Sequence, residues 1–258
     1  MEAVLEAKDV SKYFGAFTAV KNLNFSVKRG EIFGIAGPNG AGKSTLFNVI
    51  TAVPYNASSG QIVFEGEEIQ QLRAHEICQR GIARTFQVPE VFKNLTFLQN
   101  VEVGAAFKRQ RTLRSVLRLE NSERRAALAA LETVGLVDKS RYQGKTASLF
   151  EMKRLMLASA VAVEPRLILM DEPFAGLNKS EIEETKELLS RVNERGVTIM
   201  LVEHVMTALM SLSNRVMMLH HGEKISEGSP EEVASDKVVI EAYLGKEYQP
   251  SRMVKSSA

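Results

Sequence analysis

The sequence predicts an α/β fold: a parallel sheet core with helices, an antiparallel β side sheet and a helical insert. Three observations carry this. Apolar tracts such as "EIFGIAG" and "RLILMDE" lead into glycine-rich or acidic loops and then into helical patterns, which is the rhythm of strand, loop and helix units. Residues 1–30 and "GQIVFEGEEI" (Gly60 to Ile69) alternate with period two, as half-buried strands do. From about Pro89 to Ala162 the strand signals give way to helical ones.

In chain order, residues 1–30 read as short strands of the side sheet, joined there by Gly60 to Ile69. "EIFGIAG" (Glu31 to Gly37) is a short apolar strand, and "KSTLFNVIT" continues as a helix after the intervening glycine loop. Within the insert, "SERRAALAALETVG" sets Leu128, Leu131 and Val134 on one helical face and ends in Gly135. "RLILMDE" (Arg166 to Glu172) is near-continuously apolar, the pattern of a strand buried on both faces of a parallel sheet. "NKSEIEETKELLSRVNERG" then places Ile182, Leu188, Leu189 and Val192 at helical spacing. Asn178 with Glu181 forms a capping-box pattern at its start, and Gly196 suits its end. "VTIMLVEH" returns as a strand. The organisation expected is one domain over residues 1–245. Its core and side sheet take 1–87 and 163–245, its helical subdomain takes 88–162, and a polar tail follows over 246–258.

The chain has 258 residues with 33 basic and 31 acidic side chains, a net charge of +2 that gives no general attraction to nucleic acid or membrane. Cys78 is the single cysteine, so neither a disulfide framework nor a cysteine-based zinc site is available. "MEAVLEAKDVSKYF" lacks the basic-then-apolar order of a signal peptide, and no apolar run approaches a membrane span. A soluble, cytosolic chain is expected, with any membrane part supplied by a partner. The basic run "KRQRTLRSVLR" (Lys108 to Arg118) reads first as a solvated helix face and second as a contact for lipid headgroups.

"GIAGPNGAGKST" carries the chemistry. Gly37, Gly42, Lys43 and Ser44 fit G-x-x-x-x-G-K-[ST] between a strand and a helix, the arrangement of the P-loop nucleotide-binding core. The bare backbone lets successive N–H groups converge on phosphate oxygens, and the helix N-terminus adds its positive end. Lys43 would reach the outer phosphates and Ser44 would ligate magnesium. "LILMDEP" places Asp171 and Glu172 at the carboxyl edge of a strand, where ligands of α/β sheets bind. Asp171 would hold magnesium through water, and Glu172 would act as general base toward the attacking water.

With these motifs in this order, the chain resembles the ATPase subunit of an ATP-binding cassette transporter over nearly its whole length. That resemblance implies ATP and Mg2+ as cofactors. It also implies further residues. Phe14 of "KYFGAF" would stack on adenine, with Tyr13 as second candidate, and Val20, Pro38, Asn39, Gly40, Ala41 and Thr45 would join the nucleotide site. Gln87 of "ARTFQ" would touch magnesium and sense the membrane subunit. Asn178 stands where most cassettes have an aspartate at the dimer contact. His204 of "LVEH" would meet the terminal phosphate. The signature, usually L-S-G-G-Q, falls on "ASLFE": Ser148 is kept, while Leu149 and Phe150 replace both glycines and Glu151 closes the motif. It would act on a partner's ATP, and its departure from the pattern bears on the catalytic strength of that one site.

"RTFQ", "AGLN", "VEH" and above all "VVIEAYLG" (Val238 to Gly245) resemble the ATP-binding subunits of branched-chain amino acid importers. The expected function is ATP hydrolysis that energises import of branched-chain amino acids or a related small polar solute. Related importers carry urea, amides or aromatic acids, and the lipopolysaccharide-export ATPase is similar in its core. The partners implied are a second cassette, expected to be a different chain, two transmembrane permease subunits and a solute-binding protein, with no nucleic acid. The place of action would be the cytoplasmic face of the membrane, with permease helices docked near Gln87 to Asn94. Two rivals stay open: a cassette ATPase acting on nucleic acid or ribosomes, and a switch that binds ATP without hydrolysing it.

Overall fold

A computed structural model describes residues 2–106 and 120–244; the basic run Lys108 to Arg118 and the tail 246–258 lie outside the described residues. The antiparallel sheet is built by β1 (Ala3–Phe14), β2 (Phe17–Lys28), β4 (Ser59–Phe64) and β5 (Glu67–Glu68), in the order β2-β1-β4-β5. The strands of residues 1–30 are two long ones of twelve residues each, not several short ones. Register shifts between Ala7 and Val10 and between Val10 and Lys12 break the alternation that a long strand would otherwise display.

The second sheet contains β3 (Ile32–Ala36), β6 (Ile82–Thr85), β7 (Leu167–Asp171), β8 (Thr198–Val202), β9 (Arg215–His220) and β10 (Glu223–Gly228), in the order β10-β9-β3-β8-β7-β6. The β3, β6, β7, β8 and β9 pairings are parallel, and β10 closes the edge as an antiparallel hairpin with β9. Every residue of β3, β7 and β8 is buried. Their side chains split by parity. Phe33, Ile35, Leu167, Leu169, Met200 and Val202 pack with the core under the antiparallel sheet and α1 (Lys43–Thr51). Ile32, Ala36, Ile168, Met170, Ile199 and Leu201 pack with the helices on the other face. This two-sided burial is why the tracts read as apolar without alternation.

The insert contains α3 (Phe97–Ala106), α4 (Glu120–Thr133) and α5 (Leu149–Ala162), which pack on one another, while the shorter α2 (Ala74–Gln79) precedes β6. Leu131 and Val134 are buried, Leu128 is half-buried against them, and Gly135 takes a left-handed φ of +69° after α4. On α6 (Lys179–Glu194) Leu188, Leu189 and Val192 are buried. Asn178 caps that helix by accepting from Glu181 N (3.1 Å), and Glu181 accepts in return from Asn178 N (2.9 Å). Three short helices, α7 (Met206–Leu212), α8 (Pro230–Ser235) and α9 (Lys237–Leu244), complete the described chain.

The topology decides where chemistry can occur. The carboxyl ends of the adjacent strands β3, β8, β7 and β6 deliver, respectively, the glycine loop, His204, the Asp171–Glu172 pair and Gln87 to one edge of the sheet. Parallel α/β sheets bind their ligands at that edge.

Candidate functional site

The glycine loop is held rigidly from behind. Gly37 has φ +152°, and a Cβ there would lie 2.2 Å from the carbonyl oxygen of Leu219 at the end of β9. Gly42 has φ +101°, and a Cβ there would lie 2.4 Å from the carbonyl oxygen of Ala19 on β2. Both contacts are with backbone, so no side chain is tolerated at either position. Gly42 is also the N-cap of α1, and no side chain caps that helix end. Its first amides are therefore left for an acceptor from outside, as a phosphate would provide. Pro38 and Gly40 follow the curve of the loop, Asn39 and Gly40 are exposed, and Ala41 is buried beneath it.

Lys43 is almost wholly buried at 6 % exposure, and its Nζ donates to the carbonyl oxygens of Gly37 (2.6 Å) and Pro38 (3.0 Å). Burial pushes its pKa down, while the carboxylates of Glu172 and Asp171 work the other way. Ser44 is exposed and Thr45 half-exposed at the start of α1. Ser44, Gln87 and Asp171 line one cavity of about 790 Å³ between the sheet edge and the helical insert. A hydroxyl, an amide oxygen and a carboxylate are hard oxygen donors, so this set fits magnesium held jointly with phosphates.

At the tip of β7, Glu172 takes a left-handed φ of +49°, a conformation that non-glycine residues adopt mainly where surrounding structure imposes it. Its carboxylate is engaged at both oxygens. Gln87 Nε2 donates to Oε2 (2.6 Å), and His204 Nε2 lies 3.0 Å from Oε1. Phe14 is 43 % exposed and meets Tyr55 edge-on at 5.0 Å between ring centres. Lys12 Nζ lies 5.2 Å from the Phe14 ring and 4.6 Å from that of Tyr55. Tyr13 is equally exposed beside it. Val20 differs from expectation: it is wholly buried on β2 and packs in the core, so its side chain offers no surface to a ligand. It is the Ala19 carbonyl beside it that touches the glycine loop.

The "ASLFE" segment lies apart from this cluster, at the N-terminus of α5. Ser148 is the N-cap, its Oγ accepting from Glu151 N (3.2 Å), while Glu151 accepts from Ser148 N (2.9 Å) and pairs with Lys139. Although burial raises the Glu151 pKa, Lys139 and the Ser148 amide outweigh it and hold the carboxyl below its ordinary value. Phe150 lies under the Arg154 guanidinium (4.1 Å), and Leu149 rests against Gly176, where an added Cβ would meet its Cδ2 at 3.0 Å.

Three residues that the sequence reading gave no role also converge here. Lys153, nine-tenths buried on α5, donates to the carbonyl oxygens of Glu172 (3.0 Å) and Pro173 (3.1 Å). Glu203, 1 % exposed, accepts from the backbone N–H groups of Phe174 (2.7 Å), His204 (2.9 Å) and Val205 (3.1 Å). Burial pushes its pKa up against those three donors. Arg84 on β6 donates from Nη2 to Asp171 Oδ2 (3.1 Å). Two of the three stood in stretches already singled out, "RTFQ" and "VEH", but Asp171 lies 87 positions from Arg84 and Phe174 lies 29 from Glu203.

A glycine loop at the head of a helix, a lysine inside it and an acidic pair on the next strand but one define a P-loop nucleotide-binding ATPase core. Residues 20–175 match the family described as "ABC transporter", and residues 223–249 match "Branched-chain amino acid ATP-binding cassette transporter". The chain belongs to the ATP-binding cassette family of ABC transporters, whose members bind ATP and hydrolyse it to drive transport. It is 35% identical over 252 residues to the "High-affinity branched-chain amino acid transport ATP-binding protein BraF" of Pseudomonas aeruginosa, covering 94% of this chain and 98% of that protein. It is 32% identical over 253 residues to LivG of Escherichia coli, a protein of the same description, covering 95% and 99%. Among solved structures it is similar to a nucleotide-free ATP-binding cassette (TM-score 0.84, 30% identity, 95% of this chain and 100% of that one). A cassette in its ADP conformation is similar too (TM-score 0.85, 29% identity, the same coverage). Among the described residues no helix is long and apolar enough to cross a membrane.

Proposed function

We propose that this cassette energises an importer of branched-chain amino acids, working at the cytoplasmic face of the membrane beside a second cassette, two permease subunits and a solute-binding protein. The observation that carries the reading is the likeness to BraF and LivG, which runs through both chains nearly end to end. In this reading the glycine loop and the α1 N-terminus cradle the phosphates, and Lys43 moves its ammonium from the loop carbonyls to the outer phosphates. Phe14 stacks on adenine. Ser44, Asp171 and Gln87 hold magnesium, which supplies charge neutralisation at the phosphates. Glu172 takes the proton of the attacking water, and His204 donates to the terminal phosphate.

The apolar part of that same cavity, lined by Ile77, Phe86, Val88, Met156 and Val163 away from Ser44 and Asp171, receives a short cytoplasmic helix of the permease. Phe86 and Val88 line it and are exposed, and their apolar side chains would be covered on docking. Because Gln87 belongs to the same loop, docking would be felt at Glu172 through a single hydrogen bond. Asn178 and "ASLFE" face the second cassette, with the latter closing the partner's nucleotide site.

The test is reconstitution of the chain with its membrane and binding-protein partners in vesicles, followed by ATP-dependent uptake of labelled leucine, isoleucine and valine. Uptake that requires this chain and ATP supports the reading. An assembled, ATP-hydrolysing complex that moves none of the three, but moves urea, an amide or an aromatic acid, overturns the cargo while leaving the ATPase.

A further inference from the structure

A buried cation stands directly behind the proposed metal ligand. The side chains of Arg84 and Asp171 are 7% and 9% exposed, and they meet across 3.1 Å at Asp171 Oδ2. The other arm of the guanidinium is tied to α1: Nη1 donates to Asn48 Oδ1 (2.7 Å) and to Thr51 Oγ1 (3.2 Å). The group also lies over the rings of Phe86 (4.9 Å) and Phe47 (5.7 Å). Nε, buried with them, has no hydrogen-bond partner.

As a source of stability this arrangement is poor. Two charges are taken out of water, which costs several kcal/mol per ion before their attraction is counted, and one donor is left unmatched. Burial drives the Asp171 pKa up and the Arg84 pKa down, each opposed by the other's charge. As a source of geometry it is good. A guanidinium has a fixed planar fork, so fastening one arm to α1 fixes where the other arm presents itself. The helix that supplies the anchor is the one that begins with Lys43 and Ser44. With Oδ2 held, Oδ1 is the oxygen left for a metal-bound water.

We propose that Arg84 is the positioning residue of the magnesium site, anchored on α1 through Asn48 and Thr51 and setting the orientation in which Asp171 meets the metal. The inference rests on the reading of Asp171 as a magnesium ligand. It belongs to the general pattern in which residues behind a ligating carboxylate tune metal affinity. Arg84 ties the metal ligand, the phosphate-loop helix and the strand leading to Gln87 into one unit.

The experiment uses the full chain with bound ADP and Mn2+ as a magnesium substitute visible by electron paramagnetic resonance. Arg84→Lys keeps the charge but loses the fork. Its affinity for Mn2+ is expected to fall roughly 10- to 100-fold while metal-free ADP binding, measured with chelator present, stays close to that of the wild type. Unchanged Mn2+ affinity in a folded Arg84→Lys protein overturns the proposal. Asp171→Asn separates the two readings: if it too leaves Mn2+ affinity unchanged, the assignment of Asp171 fails and this inference with it. If Asp171→Asn loses the metal and Arg84→Lys does not, only the role of Arg84 fails. Should Arg84→Lys not fold, the double variant Asn48→Ala, Thr51→Ala decides, because it leaves the ion pair and removes both of its anchors on α1. A loss of Mn2+ affinity in the same direction supports the proposal, and full retention overturns it.

Discussion

Gln87 donates to Oε2 of Glu172 at 2.6 Å, and His204 Nε2 lies 3.0 Å from Oε1, so each oxygen of the carboxylate already has a side-chain partner. If Glu172 is the general base, as proposed, these contacts would hold it in reserve. Nucleotide would draw His204 and Gln87 to the terminal phosphate and the metal, and Glu172 would then be released. Glu172→Gln preserves the shape but cannot take a proton, and its amide can accept at only one of the two positions where the carboxylate has partners. ATP should still bind, hydrolysis should fall by about 10²- to 10⁴-fold, and a closed, ATP-loaded cassette pair should accumulate. Turnover and nucleotide occupancy measured on the assembled complex check this, and undiminished turnover would place the base elsewhere.

Lys43→Ala removes a charge that lies inside the phosphate loop and leaves two loop carbonyls without their donor. A hydrogen bond to a charged group contributes about 1.5–3 kcal/mol, so ATP affinity should drop by at least about tenfold and ATP-driven uptake should disappear. Calorimetric titration with ATP gives the answer. Near-normal affinity would sink the assignment of this loop to phosphate binding.

Glu203→Gln tests the joint between the loops after β7 and β8. The carboxylate accepts from three backbone N–H groups, and an amide must turn its own NH2 toward at least one of them. The variant is expected to lose about 1–3 kcal/mol of stability and to hydrolyse ATP more slowly, because Phe174 and His204 lose their common anchor. Chemical denaturation and steady-state turnover measure the two effects. A variant as stable and as active as the wild type would show that the joint is dispensable.

The signature segment leads to an asymmetry. Phe150 and Leu149 stand where glycines would let the backbone approach a phosphate, and an ionised Glu151 sits at that helix end. The site closed by "ASLFE" is expected to hydrolyse more slowly than the site built on Lys43, Asp171 and Glu172 of this chain. Disabling Glu172 should therefore cost more uptake than disabling the corresponding glutamate of the partner cassette. Equal losses in the two reconstituted variants, or full activity of this chain paired with itself, would count against it.

Much of the fold is legible because its signals are local. The buried tracts of β3, β7 and β8, the glycine loop, the Asn178–Glu181 cap and Gly196 each declare themselves within a few residues. Other elements do not. β6 is four residues long and too short to show a period, and the β9–β10 hairpin turns through His221-Gly222, both at positive φ, without the Asn or Asp that usually leads such a pair. The same limit applies at the site. Gln87, Glu172 and His204 carry recognisable neighbours, whereas Arg84 matters through a partner 87 positions away and Glu203 through backbone donors on two loops. The burial of Val20 is hidden for a related reason: which side of a bulged strand faces inward depends on register, not on neighbours in sequence.

Lys153 gives α5 a second attachment one turn in from its N-terminus. In the proposed pair, one end of that helix would address the nucleotide of the neighbouring cassette, while the lysine grips the main chain of Glu172 and Pro173 beside this cassette's own site. A tilt of the helix on closing against such a neighbour would be delivered to Glu172 as a pull on its carbonyl. In a cassette pair built this way the two sites would share a lever, α5, fastened at its signature end to one and through Lys153 to the other.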